Sequence, residues 1–197
     1  MGLQHSYALI APFYDLVIAR ATHRARLRSL SALPAEPSRV LLAGIGTGLD
    51  LPLLPGGHRY VGLDLTASML RRSLPRMGAH DYRAVHGDVH HLPFASGSFD
   101  VAILHLILAV VPDPVRCLGE IQRVVRPGGQ VLIFDKFLRP QQHAPLRRLV
   151  NPLSRRLATR LDVVFEEVLA AHDHLQLESD QAALAGGWFR QIRLRRR

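Results

Sequence analysis

Apolar residues fall along this chain in two rhythms, short continuous runs and longer stretches with a period near 3.6. The continuous runs are RVLLAGIG (39–46), YVGLDL (60–65), YRAVHGDV (82–89), FDVAILHLIL (99–108) and QVLIFDKFL (130–138). Each is short and bounded by glycine, proline or polar residues, the pattern of a buried strand. Between them lie helical stretches. Residues 3–31 carry Leu9, Ile10, Phe13, Leu16, Val17, Leu27 and Leu30 at roughly helical spacing, with a break at Pro12. A connector (34–38) follows, then a short helix is expected at 48–54 after the first strand. A helix over 66–74 has Thr66 as its expected N-cap, and one over 114–126 is opened by Pro114 and closed by Pro127-Gly128-Gly129. Residues 144–172 read as helix interrupted at Pro152, and 175–179 and 188–196 read as two last strands.

Strands that alternate with helices and are apolar throughout imply a parallel sheet covered on both faces. The two last strands have no helix between them, which fits an antiparallel strand added at the end of the sheet. A chain of 197 residues without internal repeats is read as one domain.

Composition narrows the function. Hydrophobic residues make up 48% and charged residues 21%, as in globular proteins, so a disordered tail, a collagen-like fibre and a coiled coil are excluded. The single cysteine, Cys117, rules out a disulfide framework and reads as helix core. The N-terminus lacks a basic region, and Asp15 interrupts its apolar run, so no signal peptide is expected. The net charge of +9 is carried almost wholly by arginine, Lys136 being the only lysine. Such a surplus fits an anionic partner or a bias of composition alone.

The chemistry begins at Gly44-Ile45-Gly46-Thr47-Gly48, directly after the first strand. Glycines there let the backbone turn sharply and let a ligand approach it closely. Asp64 ends the next strand, where an acid can accept hydrogen bonds from both hydroxyls of a ribose. The turn reads GxGxG, with Leu49 where a dinucleotide fingerprint has its third glycine, and no Lys-Ser or Lys-Thr follows. A nucleoside without phosphate suits it better than a pyrophosphate or triphosphate.

Four segments, VLLAGIGTG, VGLDLTASML, GDVHHLPFASGSFD and VPDPVRCLGEIQRVVRPGGQVLIFD, together resemble the class I S-adenosylmethionine-dependent methyltransferases related to the ubiquinone/menaquinone C-methyltransferases. GIGTGLDLPLLP and VVPDP are also similar to the short bacterial phosphatidylethanolamine N-methyltransferases. The resemblance implies a Rossmann-like, doubly wound, mostly parallel seven-stranded sheet with an antiparallel last strand (35–197) behind an N-terminal helical lid (1–34). It implies S-adenosylmethionine as cofactor. Gly44, Ile45, Gly46 and Gly48 would approach its methionine part, Asp64 with Leu65 its ribose, and Met69, Asp88 and Val89 its adenine. One departure stands out: the family's acid on the first strand is Leu42 here, and Asp50 or a tyrosine of the N-terminal segment could take its place.

Methyl transfer needs alignment first, and a base only when the nucleophile carries a proton. His105, interrupting an apolar strand at its ligand end, is the candidate base or cofactor-lining residue. The alternative is a core histidine with a backbone partner. Tyr14, in the Tyr14-Asp15 pair that matches the family's lid, is a second candidate for catalysis and cofactor contact. Tyr7, Asp135 and Lys136 are candidates for the acceptor pocket, with surface pairing the alternative for Asp135 and Lys136. The groups His86/Asp88/His90/His91 and His172-Asp173-His174 lack an established ligand spacing, and no metal is expected. The Asn/Asp-Pro-Pro-Tyr/Phe segment of nucleic-acid amino methyltransferases is absent after the fourth strand, so nucleic acid is not the expected substrate. From Arg139 to Arg160 six arginines accompany leucines at helical spacing, a basic amphipathic pattern. With Arg20, Arg24, Arg26, Arg28 and the C-terminal arginines, it fits either peripheral docking on an anionic membrane or ordinary solvated faces. The reading is a cytoplasmic enzyme, peripheral at the inner membrane face, that methylates a lipid amine. A soluble phenol, quinone precursor or thiol, a non-catalytic cofactor-binding module and an RNA-binding protein are the rivals.

Overall fold

A computed structural model describes residues 19–138 and 163–197. Helix α1 (19–30) precedes β1 (Arg39–Ala43), β2 (Arg59–Asp64), α2 (Ala67–Ser73), β3 (Asp81–His86), β4 (Phe99–His105), α3 (Pro114–Val124), β5 (Val125–Lys136), α4 (Phe165–Ala170), β6 (Leu175–Leu184) and β7 (Phe189–Arg196). One seven-stranded sheet has the order β3-β2-β1-β4-β5-β7-β6. Strands β1 to β5 are parallel, and β7 slots between β5 and β6, antiparallel to both. The expected antiparallel last strand is therefore present, in a single α/β domain.

Period-two alternation divides the core between the sheet's faces. From β4, Ala102 and Leu104 join α3 residues Cys117, Leu118 and Ile121 and α4 residues Phe165 and Val168 on one face. Val101 and Ile103 point the other way, with Val40, Leu42, Leu51, Tyr60, Leu70 and Leu30 of α1. Each fully buried Leu, Ile, Val or Phe contributes about 1.5–3 kcal/mol.

Boundaries differ from expectation where backbone chemistry overrides apolar pattern. The 48–54 helix is only a 3-10 turn, Leu51–Leu53, because Gly48 at φ +80 delays its start and Leu54, preceding Pro55, is extended at ψ 142. Strand β4 stops at His105 rather than 108, since Leu106 turns left-handed at φ +60. Helix α3 stops at Val124 rather than 126, where Val125 becomes extended and pairs with Phe99. The Pro127-Gly128-Gly129 bend thus lies within β5 as a bulge, between the pairs Phe99–Val125 and Val101–Gln130. Asp113 caps α3 by accepting the Arg116 amide at 2.9 Å, whereas Thr66 makes no side-chain cap bond at α2. Strand β6 reaches Leu184 rather than Ser179 through two register shifts. Residues 3–18 and 139–162, with the expected Tyr7, Tyr14 and basic amphipathic helix, lie outside the described residues.

Candidate functional site

The carboxyl ends of β1, β2, β3 and β4 converge on the glycine turn. Gly44, Gly46 and Gly48 all have positive φ, +68, +56 and +80. A Cβ on Gly44 would lie 2.4 Å from Ile107 Cδ1, and one on Gly48 would lie 2.8 Å from Leu51 Cδ1 and from Ser73 Cβ. A Cβ on Gly46 would meet nothing within 4 Å. Gly44 and Gly48 are therefore closed in by the protein, and Gly46 faces open space, a cradle that fits a ligand against the backbone.

The turn is fixed from several sides. The amides of Gly44 and Ile45 donate to Leu63 O at 2.8 and 3.0 Å, and Arg76 Nη1 donates to Thr47 O and Oγ1, both at 2.8 Å. Asp64 accepts the Gly46 amide on Oδ2 and the Thr66 amide on Oδ1, each at 2.8 Å. Each carboxylate oxygen keeps a further lone pair, so ribose hydroxyls can still be received. Burial pushes the Asp64 carboxyl up, against these amides and the nearby His86. His86 Nε2 bonds Leu65 O at 2.8 Å, fixing the β2 exit, where Leu65 is exposed and Met69 half-buried. Past β3, Asp88 Oδ1 accepts the His90 amide at 2.9 Å and contacts His90 Nδ1 at 2.7 Å, while Val89 is buried. Burial alone would raise the Asp88 carboxyl, but the His90 hydrogen bonds outweigh it and the group is lowered. The turn, Asp64, Met69 and Asp88 thus all follow strand carboxyl ends on one edge of the sheet.

The fourth-strand histidine lacks the backbone partner that a core histidine was expected to have. His105 is buried, its side chain 1% exposed, and both ring nitrogens have side-chain rather than backbone partners. Nδ1 meets Asp50 Oδ1 at 2.8 Å and Nε2 meets Ser29 Oγ at 2.9 Å. Arg26 Nη1 donates to the same Asp50 oxygen at 2.7 Å, and Arg26 Nε donates to Thr22 Oγ1 at 3.0 Å. Burial works to raise the Asp50 carboxyl, but His105 and Arg26 overrule it and hold it well below the usual range. The Phe134 ring packs edge-on to the imidazole, 5.7 Å between centroids. Sequence reasoning singled out His105 and Asp50 but missed Arg26 and Ser29 as their partners. The i, i+3 spacing of those two on α1, interrupting its apolar face, was the available signal.

Asp135 is 1% exposed, so the surface pairing with Lys136 that the sequence allowed is not what the structure holds. Its oxygens accept the Ala109 and Lys136 amides at 3.0 and 2.8 Å, tying β5 to the turn after β4. Burial, against those amides, pushes its carboxyl up to about 6. Lys136 is half-buried, and burial lowers its ammonium against the pull of Asp135. Leu42 is 1% exposed among the apolar residues of the second layer, and brings no charge to the turn.

Among the described residues no three His, Cys, Asp or Glu side chains form a metal-ligating group. His90, His91 and His172 sit round a shallow groove beside Asp88, with His91 Nε2 against Arg116 and His172 Nε2 bonded to Val115 O at 2.9 Å.

Residues 41–133 match the methyltransferase domain family. The chain is 31% identical to a phosphatidylethanolamine N-methyltransferase of Cereibacter sphaeroides, over 93% of each chain. It is 32% identical to a demethylmenaquinone methyltransferase of Beutenbergia cavernae, over 86% of this chain and 69% of that one. In structure it is similar to a Haloferax volcanii methyltransferase solved with the Trm112 activator, with a TM-score of 0.79 at 18% identity, covering 100% of this chain and 98% of the other. Glycine turn, strand-end acid, sheet order and these relatives agree: the chain belongs to the class I S-adenosylmethionine-dependent methyltransferases.

Proposed function

We propose that this enzyme methylates the amine of a phosphatidylethanolamine-type lipid at an anionic membrane surface. The observation that carries the reading is the end-to-end similarity to the Cereibacter phosphatidylethanolamine N-methyltransferase. Helix α1 adds to it. Arg20, Arg24 and Arg28 recur every fourth residue and are all exposed, with Leu27 42% exposed beside them. That is a basic stripe with an apolar contact, suited to an anionic interface. The C-terminal arginines contribute less than their number promises. Arg190 is buried against Glu166 and Asp180, Arg195 pairs with Glu178 at 2.6 Å, and Arg196 Nη1 donates to Val125 O. No helix among the described residues is long and apolar enough to cross a membrane, so the docking proposed is peripheral.

Bound S-adenosylmethionine supplies an electrophilic methyl carbon on a sulfonium. In this reading the chain holds it with the open face of Gly46 and the backbone of Gly44, Ile45 and Gly48. Asp64 and Leu65 hold the ribose, and Met69, Asp88 and Val89 the adenine. Asp135 fixes the 107–111 turn that borders the acceptor side, and Lys136 lies at its rim. Alignment and exclusion of water then supply most of the acceleration.

The test incubates purified protein and methyl-labelled cofactor with vesicles of phosphatidylethanolamine mixed with an anionic lipid. Label is expected in the lipid amine, and the protein is expected to float with the vesicles at low salt. Label only in water-soluble products, or no flotation at low salt, refutes the proposal. The demethylmenaquinone methyltransferase similarity favours a second reading, a quinone-precursor acceptor, which predicts label in the organic phase but not in phospholipid.

A further inference from the structure

The buried chain of polar side chains between α1 and the end of β4 lies outside the set that the proposed function assigns to the cofactor. We propose that Ser29, His105 and Asp50 form a proton relay that deprotonates the acceptor ammonium, with Ser29 as the group that meets the acceptor and His105 as the base behind it. This rests on the amine-acceptor reading above.

Geometry sets the direction. Asp50, ionised and pinned by Arg26, can only accept, so His105 Nδ1 carries a hydrogen and donates to it. In neutral His105 the basic lone pair is then on Nε2, where it accepts the Ser29 hydroxyl proton. Ser29 Oγ is left with free acceptor capacity. In the relay a substrate N–H+ donates to Ser29 Oγ and not to His105, because both ring nitrogens of His105 are already engaged, Nδ1 by Asp50 and Nε2 by Ser29. An acid, an oriented imidazole and a hydroxyl within 2.9 Å contacts recur wherever a buried histidine draws a proton through a serine.

The step balances. The substrate N–H bond breaks as its proton bonds to Ser29 Oγ. The Ser29 O–H bond breaks as that proton bonds to His105 Nε2. The nitrogen keeps the electron pair, becomes a neutral amine and is competent to accept a methyl group. The imidazolium formed is stabilised by Asp50 and later returns its proton to water. Arg26 from α1 and Asp50 from the turn are the charged groups in contact with this chain, and Phe134 of β5 packs on the imidazole without charge. Arg26 thereby acts as a positioning residue: its guanidinium keeps Asp50 ionised and an acceptor.

The alternative is that the same bonds only dock α1 on the sheet. The two differ in pH dependence. With full-length protein and phosphatidylethanolamine vesicles, Ser29→Ala is expected to lower kcat/KM about 10²–10⁴-fold near neutral pH. The loss should shrink about tenfold per pH unit as the free amine replaces the ammonium. Ser29→Thr, which keeps the hydroxyl, should restore most of the rate. Affinity for S-adenosylhomocysteine by calorimetry should stay within about twofold, because Ser29 touches neither turn nor acid. In ¹⁵N-histidine NMR of the unliganded protein, neutral His105 should be the Nδ1–H tautomer, and its Nε2 signal should move in Ser29→Ala. A pH-independent loss, a rate loss matched by lost cofactor affinity, or an Nε2–H tautomer overturns the relay. Wild-type protein that methylates no lipid amine at any pH refutes the acceptor reading and the relay with it, whereas an amine methylated equally by Ser29→Ala refutes the relay alone.

Discussion

Replacing Gly46 by alanine separates the cost to the fold from the cost to the ligand. Gly46 has φ +56, and its added methyl would meet no protein atom within 4 Å. The folded-state penalty is then the left-handed backbone alone, about 1–2 kcal/mol. For a chain of this length that lowers Tm by about 2–8 °C. The methyl does project into the space assigned to the cofactor, and overfilling a close-fitting contact costs about 1–3 kcal/mol, or roughly 10–100-fold in affinity. Gly48→Ala is the control. It has φ +80 and would meet Ser73 Cα at 3.1 Å as well as two side-chain atoms at 2.8 Å. Overpacking adds to the backbone cost, for a total of about 2–5 kcal/mol. Both variants are read by urea melts and by calorimetric titration with S-adenosylhomocysteine. Gly46→Ala should be the more stable variant and should bind weakly. If it binds like the wild type, the cofactor does not lie on this turn, and the placement of Gly44, Ile45 and Gly48 against it fails too.

Other expectations follow from charge and burial. Reversing Arg20, Arg24 and Arg28 to Glu should weaken binding to anionic vesicles by at least about 100-fold, at about 1 kcal/mol per basic residue. Circular dichroism should be unchanged, and equal vesicle binding by variant and wild type would remove α1 from the docking surface. Asp135 binds its proton more tightly folded than unfolded, so its contribution to stability is full below the ordinary value of 3.8 and is lost as pH rises through about 6. That gap corresponds to about 3 kcal/mol, so urea melts of wild type minus Asp135→Asn should show this fall between pH 3.8 and 6, and a flat difference would refute it. Leu42→Glu puts an ionisable group among buried apolar residues, and should cost several kcal/mol without ligand. If the turn holds the cofactor's ammonium nearby, S-adenosylhomocysteine should raise the Tm of this variant more than that of the wild type.

The sheet was legible because its strands are buried on both faces, so β1, β2 and β4 read as unbroken apolar runs bounded by turn residues. The glycine turn and Asp64 were legible because both constraints are local: a positive φ, and an acid at a strand end. Boundaries were not, where one residue's backbone ended an apolar run. Leu106 at φ +60 cuts β4 short although Ile107 and Leu108 continue the hydrophobic pattern. Sequence could nominate His105 and Asp50 separately but could not pair them across 55 positions, nor see that Ser29, 76 positions away, completes the set. Sheet register and the docking of α1 decide those contacts. The roles of Arg76 behind Thr47 and of Ile107 behind Gly44 are likewise products of packing.

The departure at Leu42 and the cluster around Asp50 bear on one question, where negative charge sits near the turn. An acid at position 42 would project from the middle of the sheet toward the second apolar layer. Leu42 fills that place and packs among Val40, Leu51 and Ile103. Asp50, two residues past Gly48, brings a carboxylate back to the same end of the sheet, but its Oδ1 already receives Arg26 and contacts His105. One anion facing one fixed guanidinium presents little net charge to a cofactor ammonium. Its field acts at short range, on the imidazole 2.8 Å away, where the gain from orientation does not depend on net charge. Where the resemblance expects an acid on the first strand, this chain has Leu42, and the carboxylate at this end of the sheet, Asp50, is engaged by Arg26 and His105. That engagement is what the proposed relay uses.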